Sequence, residues 1–425
     1  MKYILQSVKN EIIPSKESQE HLDKVCREII NKVNNSARQA RLDAELIIGG
    51  SVAKNTWLPG IHDIDTFLLF NYKKFKTKSR ELSKYAEKIL QDTFEEIKRL
   101  HGSRDYFQTK FEEYDIEIIP VLKISKPSEM VNITDVSPLH VKWVAKKTRK
   151  NKQLANEIRV AKKFFKAAKI YGAESFIKGF SGHVIEVLII TFGSFEKFLK
   201  AVRNWNKEQI VDPENYYKNK NELMKKMNAS KLVSPLIVVD PVQPERNAAA
   251  ALDISNFNKL IKQAKDFTRR PNLKFFIEDK VTLEDLRRRR KEKKLIVLLV
   301  KPEYEKLDVA GAKIMRKFGK LLKYMIANDF KIHDAGFEWD RESEMMLWFF
   351  TDKQDLPAIR KQIGPRKKEG KEFINSFKQK YGRRVQADAR RYYVELPRKY
   401  KTAEHLVSDI IKDKEYDSFR ILEVR

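Results

Sequence analysis

Two acids and a glycine-serine turn lie close together near the start of this 425-residue chain. An apolar run ends in Gly49, Gly50 and Ser51, and the acids Asp63 and Asp65 follow a short distance later. Glycines let another group approach the backbone closely, and a serine that caps the next helix leaves backbone N–H groups for a phosphate. Residues two apart on a strand share a face, so the two acids project together. The pattern predicts a phosphate cradle beside two carboxylates.

A third acid stands in a second segment that alternates like a strand. Glu117 lies between two isoleucines in residues 114–120, where a carboxylate needs a chemical reason. Mg²⁺ binds one or two carboxylates together with substrate phosphate oxygens, and a two-metal site stabilises the attacking and leaving oxygens in phosphoryl transfer. Asp63, Asp65 and Glu117 are therefore predicted as catalytic acids, with the first two holding Mg²⁺ for nucleotidyl transfer.

Each of these features also has an ordinary structural interpretation. Asp63 and Asp65 could begin a solvated strand, Glu117 could be a charge on an edge strand, and the glycine-serine turn could simply cap a helix. For any single feature taken alone, the structural interpretation is at least as good as the catalytic one. The serine, the acid pair and the third acid in this order favour the catalytic interpretation.

Composition indicates a polyanionic partner. The chain carries 87 Lys and Arg against 59 Asp and Glu, a net charge of +28, and its basic residues are spread along much of its length. Nucleic acid is the favoured partner and a membrane surface the weaker alternative, since no amphipathic anchor or lipidation signal is evident. Cys26 is the one cysteine, so no intramolecular disulfide or structural Cys-ligated zinc site is expected, which fits a reducing cytoplasm. Neither a signal peptide nor a membrane span is expected.

Hydrophobic periodicity and charge divide the chain into three predicted parts. These are an α/β catalytic part over 1–145, a predominantly helical central part over 146–255, and an α/β carboxyl-terminal part over 256–425. The polar run 146–152 is predicted to connect the first two parts. Helices are predicted over 17–40, 78–100, 156–168, 181–192, 194–205 and 313–327, and from Arg246 onward. Strands are predicted over 46–48, 63–70, 106–113, 114–122, 236–240, 295–300, 345–350 and 387–396, and residues 283–294, which precede the strand at 295, are assigned to neither type.

Several basic runs in the carboxyl-terminal part contain aromatic residues. Examples are Arg390-Arg391-Tyr392-Tyr393, residues 378–381 and residues 316–318, and a purely basic run covers 287–291. Aromatic faces stack on bases and cations neutralise phosphates. A single run of this kind is more often a solvated face, but their repetition favours RNA as the partner.

Longer passages of the chain resemble the archaeal-type (class I) CCA-adding enzyme, the transfer-RNA nucleotidyltransferase. The first passage runs from Gly49 to Phe70, and the likeness continues to the carboxyl-terminal part. The glycine-serine and acid-pair core alone would be shared with poly(A) polymerases and other nucleotidyltransferases. The further passages are Ile116-Glu117-Ile118-Ile119-Pro120, residues 137–143, Ile170-Tyr171-Gly172-Ala173-Glu174, Gly179-Phe180-Ser181-Gly182, Val239-Asp240-Pro241-Val242 and Ile363-Gly364-Pro365.

The resemblance implies an α+β multidomain fold with a polymerase beta-like, mixed-sheet catalytic head. It implies that the helical central part, 146–255, completes the nucleotide site, and that the α/β carboxyl-terminal part, 256–425, binds tRNA. It also implies template-independent rebuilding of the CCA end of tRNA from CTP and ATP, with Mg²⁺ and release of pyrophosphate. Expected partners are the tRNA acceptor arm and the two nucleotides; a homodimer is left open. Two alternatives remain: a poly(A) polymerase or oligoadenylate synthetase, and a non-catalytic RNA-binding protein on the same scaffold.

The resemblance also assigns roles to individual residues. Asp63 and Asp65 match the metal ligands, and Glu117 stands where the family commonly has an aspartate, either as a third ligand or as a group that helps to deprotonate the RNA hydroxyl. Ser51 and Lys54 match positions that hold the incoming triphosphate. The remaining matches are nucleotide contacts: His140, Lys162, Tyr171 and, beside the base, Arg246.

Without the resemblance these last four residues have plainer interpretations. His140 would be a core or capping histidine, Lys162 a lysine on a helix surface and Tyr171 a packing aromatic. Arg246 would be a solvent-facing arginine at a helix start. Only their order within the family pattern favours nucleotide binding.

Overall fold

The computed structural model describes residues 1–60, 62–206, 208–227, 232–289, 291–303, 307–341 and 343–425. Arg290, in the predicted basic run 287–291, and Ile61, in the first passage of the family pattern, lie outside the described residues. The chain forms two compact units, Met1–Asp279 and Lys280–Arg425.

The first unit combines a mixed sheet with helices. Its helices are α1 (Lys2–Ile12), α2 (Lys16–Gln39), α3 (Gly50–Ala53), α4 (Tyr72–Phe75), α5 (Leu82–Gln91), α6 (Ser137–Lys150), α7 (Lys152–Ala167), α8 (Gly182–Phe192), α9 (Phe195–Val202), α10 (Lys220–Lys226) and α11 (Ile254–Arg269). Its strands are β1 (Ala44–Ile48), β2 (Asp63–Asn71), β3 (Lys98–Leu100), β4 (Tyr106–Phe111), β5 (Tyr114–Lys123), β6 (Gln209–Val211) and β7 (Leu236–Val238). Short 3₁₀ helices cover Lys76–Glu81, Pro127–Glu129, Ile133–Val136 and Leu273–Phe276.

The five-stranded sheet has the order β1-β2-β5-β4-β3. Strands β2 and β5 pair in parallel, and the other neighbours are antiparallel. Strand β2 lies inside the sheet between β1 and β5, and its residues Ile64, Leu68 and Phe70 are fully buried on one face. Such a strand is rich in apolar residues because both of its faces are covered. The acids can therefore be exposed only near its first residues.

Two large hydrophobic cores lie within the described residues of the first unit, beside two smaller buried clusters. The first core packs α2 and α5 on one face of the sheet, and the second packs α1, α7, α8, α9 and α11 together. Helix α2 forms because Ser15 caps its N–H groups while Leu22, Val25, Ile29 and Val33 recur on one side. Phenylalanines fill the second core: Phe164 contacts the rings of Phe195, Phe267, Phe275 and Phe276.

The second unit has helices α12 (Leu283–Arg288), α13 (Leu307–Ala327), α14 (Lys371–Tyr381) and α15 (Ala403–Ile410). Its strands are β8 (Lys293–Val300), β9 (Asp334–Glu338), β10 (Met345–Asp352), β11 (Ile359–Arg366), β12 (Val385–Ala387), β13 (Arg391–Pro397) and β14 (Phe419–Val424), and 3₁₀ helices cover Gly382–Arg384 and Lys414–Tyr416. An antiparallel sheet β14-β8-β10-β9 packs against α13 and α15, and a second sheet has the order β11-β13-β12. Within the described residues, no helix combines the length and apolar composition that a bilayer span requires.

Most predicted elements are present, and three differ. The helix predicted over 78–100 is confined to α5, because Lys98–Leu100 pair with β4 as an edge strand. Residues 283–294, for which no element type is predicted, contain the short helix α12, which ends at Arg288 before β8 begins at Lys293. The strand predicted over 387–396 is a hairpin, because Asp388 Oδ1 accepts two backbone N–H groups and turns the chain between β12 and β13.

The helix predicted from Arg246 is also absent. Instead, Asn247 Oδ1 accepts the backbone N–H of Val238, and the next helix begins at Ile254. Helix α11 belongs to the first unit, so the predicted part 256–425 begins inside an element of that unit. The division into parts at 145 and 255 stays a prediction.

Candidate active site

The parallel pairing of β2 with β5 places the three predicted acids on neighbouring strands. The pairing sets Asp65 opposite Glu117, and Asp63 opposite Asp115. Burial alternates in the first residues of both strands, with Ile64 and Ile116 fully buried while the acids are not. Asp63, Asp65 and Glu117 therefore lie on one face of the sheet, as the alternation in the sequence predicts.

The glycine turn packs directly on the second acid. Gly49 N–H donates to the Asp65 carbonyl at 2.8 Å, and Gly50 has a φ of +52°. A Cβ atom on Gly50 would lie 1.7 Å from Asp65 Oδ2, which no side chain can tolerate. Both the left-handed backbone and the close approach require glycine here. Ser51 follows in the single turn of α3, next to this contact.

Burial raises the pKa of Asp65, because its anion loses solvation. The Lys54 ammonium opposes this shift, and the neighbouring Asp63 carboxylate adds to it. A buried carboxylate beside a second carboxylate is stabilised when a cation binds both. Oxygen donors from two or three acids are the set that a hard divalent cation such as Mg²⁺ prefers, so these residues fit a metal of that class.

The buried carboxylate of Glu186 bridges two lysines, Lys54 and Lys162, near Asp65. Glu186, on α8, has no exposed surface; its Oε2 accepts from Lys54 Nζ at 2.8 Å and its Oε1 from Lys162 Nζ at 2.9 Å. Thr56 completes the cluster, since it donates to Glu186 at 2.9 Å and accepts from Lys162 at 2.9 Å. Burial opposes ionisation, but Lys162 and Lys54 outweigh it and lower the pKa of Glu186 to about 2. Glu186 is therefore an anion between two ammonium groups.

Tyr171 lies beside the lysine cluster. A Cβ atom on Gly182 would lie 2.8 Å from its hydroxyl oxygen and 4.0 Å from Lys162 Cε. Burial, with Glu186 as the next cause, raises the pKa of Tyr171 to about 12. The hydroxyl therefore keeps its proton at neutral pH and can donate a hydrogen bond.

A second buried carboxylate, Asp240, collects the other two predicted nucleotide contacts. His140 Nε2 donates to its Oδ1 at 2.8 Å, and Arg246 Nη1 donates to its Oδ2 at 2.6 Å. Burial opposes ionisation, but the hydrogen bond from His140 and the charges around it hold the pKa of Asp240 well below its usual range. The backbone N–H groups of Val242 and Gln243 also donate to Oδ1.

The His183 ring packs beside the network formed by Asp240, His140 and Arg246. Its ring centroid lies 4.6 Å from that of His140, and its Nε2 lies 4.0 Å from Asp240 Oδ2. Burial and the nearby His140 lower the pKa of His183 to about 3, so the ring is neutral. His140, His183 and Asp240 form a geometric group that could hold a metal. Both Asp240 oxygens already accept from cations or backbone N–H groups, so the group is better described as an ion-pair network.

Together, these contacts form two clusters in the first unit. The structure joins Lys54 to Lys162 and His140 to Arg246, and it places the three acids on one sheet face. Sequence reasoning missed Glu186, His183 and the role of Asp240. The signal for Glu186 was a lone carboxylate in the otherwise apolar helix predicted over 181–192, and Asp240 stood in a quoted passage of the family pattern.

Family models match most of the chain. The nucleotidyltransferase domain matches residues 30–140, the second domain of tRNA nucleotidyltransferase matches 156–277, and the C-terminal domain of CCA-adding enzyme matches 307–417. The CCA-adding enzyme of Nanoarchaeum equitans is 34% identical over 321 residues, covering 76% of each chain. The CCA-adding enzyme of Methanocaldococcus jannaschii is 31% identical over 420 residues, covering 96% of this chain and 90% of the relative.

Solved structures show a similar fold. A cytoplasmic RNA terminal U-transferase has a TM-score of 0.51 at 13% identity and covers 66% of this chain and 100% of its own. A poly(U) polymerase has a TM-score of 0.51 at 14% identity and covers 65% of this chain and 98% of its own. The predicted α+β multidomain fold with a polymerase beta-like, mixed-sheet catalytic head is confirmed.

Replacing Gly50 with alanine is expected to damage cation binding. The new methyl group would displace the Asp65 carboxylate, so the affinity for Mn²⁺, a spectroscopic substitute for Mg²⁺, should fall about tenfold or more. Electron paramagnetic resonance of free Mn²⁺ measures this. The matched control is Gly319→Ala on α13, where a Cβ atom meets nothing within 4 Å. Equal Mn²⁺ affinity in both variants would contradict this role for the turn.

The His183 ring, whose side chain is only 19% exposed, predicts a pH dependence of stability. Its folded pKa is about 3, below the unfolded value, so only the unfolded state gains a proton as the pH falls from about 6.5 to 3. The neutral His183 ring therefore contributes fully to stability above the pKa of the unfolded state. This contribution is lost as the pH falls toward the pKa of the folded state. For one proton the free energy of unfolding should drop by about 1.4 kcal/mol per pH unit.

Urea unfolding of the wild type and of His183→Gln at pH 7, 6 and 5, followed by tryptophan fluorescence, measures this slope. The variant should show a shallower decline with falling pH. His101→Gln serves as the control, because the side chain of His101 is 93% exposed. A wild-type slope that matches that of His183→Gln would rule out a neutral ring in the folded state.

Proposed function

The chain belongs to the family of CCA-adding enzymes, and on that premise we propose that it rebuilds the CCA end of tRNA from CTP and ATP without a nucleic-acid template. Its relatives match over nearly the whole chain, and the family's C-terminal domain matches the second unit. The observation that carries the proposal is the acid pair Asp63 and Asp65, beside Glu117 and next to the lysine cluster. The reaction is transfer of a nucleotide to an RNA 3′-hydroxyl with release of pyrophosphate.

We assign the acids to the reacting end of the nucleotide. Asp63 and Asp65 would hold Mg²⁺, with Glu117 as a third ligand or as the group that takes the hydroxyl proton. A bound divalent cation would supply positive charge to the α-phosphate oxygens. Glu117 lies opposite Asp65 across the parallel pair, which supports its action beside the same cation. The O3′–Pα bond then forms as the bond from Pα to the pyrophosphate oxygen breaks.

We assign the lysine cluster to the triphosphate. Among the described residues, Glu186 is the one hydrogen-bond acceptor of Lys54, so two N–H donors of Lys54 can reach phosphate oxygens. Ser51 and Tyr171 are nearby hydroxyl donors, and Tyr171 keeps its proton because its pKa is about 12. Fixed donors and cations stabilise the charge that develops on the leaving pyrophosphate.

The ammonium group of Lys162 is more constrained, because hydrogen bonds within the cluster already occupy it. Its Nζ already donates to the Thr56 carbonyl at 3.2 Å, to Thr56 Oγ1 and to Glu186. An ammonium group has three N–H donors, so a direct phosphate contact would replace one of these bonds. Lys162 therefore contributes charge beside the triphosphate, and it contacts phosphate only after such an exchange.

We place the base near the Asp240 network. Asp240 orients both His140 and Arg246, and a guanidinium with donors to spare can contact base acceptors and a phosphate at once. His140 is fixed as a donor toward Asp240. Selection between CTP and ATP would then depend on this network together with the RNA end.

The second unit supplies further support for an RNA partner. Lys361 Nζ lies 3.6 Å from the Tyr393 ring centroid and Lys378 Nζ lies 5.0 Å from that of Tyr392, on the sheet β11-β13-β12 and helix α14. Helix α14 has no buried residue. A basic, aromatic and exposed surface suits a duplex that is recognised through its shape and backbone. We propose that it contacts the acceptor arm.

The proposal also covers the cellular location and the oligomeric state of the enzyme. We propose a cytoplasmic location, which the single, buried Cys26 supports because it offers no disulfide. A homodimer remains the oligomeric alternative to a monomer. Sedimentation velocity of the full chain would decide between them.

The decisive experiment is incubation of the protein and Mg²⁺ with tRNA that lacks CCA. We expect two cytidines with CTP alone, CCA with both nucleotides, and no start with ATP alone, as read by sequencing the new ends. Asp65→Ala should lower the rate about 1000-fold or more, because the charge on the α-phosphate is no longer stabilised. Asp23→Ala, an exposed acid on α2, is the control and should keep wild-type activity.

Each other outcome has a clear meaning. Repeated adenylate from ATP alone would favour a poly(A) polymerase or oligoadenylate synthetase. Tight tRNA binding without any addition would favour a non-catalytic RNA-binding protein. Unchanged addition by Asp65→Ala would contradict the assigned chemistry.

Metal removal gives a separate prediction for the identity of the cation. Addition should stop in EDTA and return with Mg²⁺, but return poorly with Ca²⁺, which is larger and takes more ligands in looser geometry. Single-turnover addition of cytidine measures the rates. Equal rates with Mg²⁺ and Ca²⁺, or full activity in EDTA, would contradict the proposed magnesium site.

A further inference from the structure

We propose that Glu186 is a positioning residue that holds the two lysines of the triphosphate site in place through its carboxylate. It contacts no reacting atom, and it acts by fixing Lys54 and Lys162. The proposal rests on the proposed function, because it gives these lysines their task. Sequence reasoning placed Glu186 only within a buried apolar helix.

The geometry joins both lysines through one carboxylate. Each Glu186 oxygen accepts from a different ammonium group, Lys54 at Oε2 and Lys162 at Oε1. The side chains of Lys54 and Lys162 are only 12% and 5% exposed, so water screens their repulsion weakly. Two ammonium groups at such close range would separate without an anion between them. Glu186 therefore sets both their positions and their spacing.

Glu186 also spans the two cores of the first unit. It is on α8, whose apolar residues pack in the second core together with those of α7, the helix of Lys162. Lys54 and Thr56 follow α3, beside the sheet that carries the acids. The hydrogen bonds from Lys54 and Thr56 to Glu186 therefore tie the acid-bearing sheet to the second core. This placement lets one side chain align the triphosphate cations with the acids.

Stability alone is a weak reason for this arrangement. Burying a cluster of ions has a large desolvation penalty, so such a cluster often stabilises a fold no more than apolar residues of the same volume. Orientation is a better reason, because a cation that is displaced by about 1 Å can cost about 100-fold in rate. Lys54 keeps two N–H donors for phosphate while Glu186 fixes its third, as expected of an oriented ligand.

The test is Glu186→Gln, which keeps the shape of the side chain and removes its charge. Both lysines keep their charge, so KM for CTP should stay within about threefold. Lysines that are no longer fixed stabilise the leaving pyrophosphate less well, so kcat should fall about 10- to 100-fold. Glu186→Asp keeps the charge but shortens the reach to both lysines, and its kcat should also fall.

A double-mutant cycle shows whether Glu186 acts through Lys54. In a Lys54→Met background, Glu186→Gln should lower kcat by a clearly smaller factor than in the wild type, because only Lys162 is left for it to position. The matched control is Glu157→Gln on α7, a nearly buried acid that pairs with Lys9 and accepts from the Phe195 N–H. Its kcat should be unchanged. Thermal unfolding of every variant accompanies the kinetics.

Three outcomes would overturn the positioning role: a Glu186→Gln kcat within about twofold of wild type, an equal loss in both backgrounds, or a loss that Glu157→Gln reproduces at the same melting temperature. If Glu186→Gln does not fold, Glu186→Asp with an unchanged kcat would overturn it as well. These results differ from failure of the proposed function, in which the wild type itself adds no cytidine.

Discussion

The parallel pairing of β2 with β5 is the constraint on which the candidate active site depends. It sets Asp65 opposite Glu117, and it turns the apolar alternate residues of both strands into the first core. A one-residue slip of either strand would bury an acid and expose an isoleucine, which the packing of α2 and α5 forbids. The same hydrophobic contacts that stabilise the sheet thus determine where the acids lie.

Buried anions organise the cations around this sheet. Glu186 and Asp240 each hold two basic side chains, and each is fully ionised because those partners outweigh the cost of burial. In a chain of net charge +28, the positive groups of these two clusters would otherwise repel one another. Glu186 orients the Lys54 ammonium through one hydrogen bond and leaves its other N–H donors available to a ligand. Charge balance and geometry are therefore supplied by the same two acids.

Local patterns were enough to predict four of the five strands of the sheet and the strand positions of its acids, whereas β3 was predicted as the end of a helix. Alternation identified β2 and β5, and the paired glycines identified the turn over Asp65. The contacts of Asp240 could not be predicted in the same way, because His140 is 100 residues away along the chain and nothing local indicates their meeting. The helix predicted from Arg246 failed for a similar reason: the Asn247 side chain satisfies backbone groups of β7, which propensity does not report.

The burial of Cys26 makes the chain well suited to distance measurements. Burial raises the pKa of this thiol to about 11, so it stays protonated and reacts slowly with maleimides or spin labels at neutral pH. Two cysteines introduced at exposed positions, one in each unit, would then be the only readily labelled thiols. Dipolar or fluorescence distances between them would follow the two units through successive nucleotide additions, with no need to remove the native cysteine from the core.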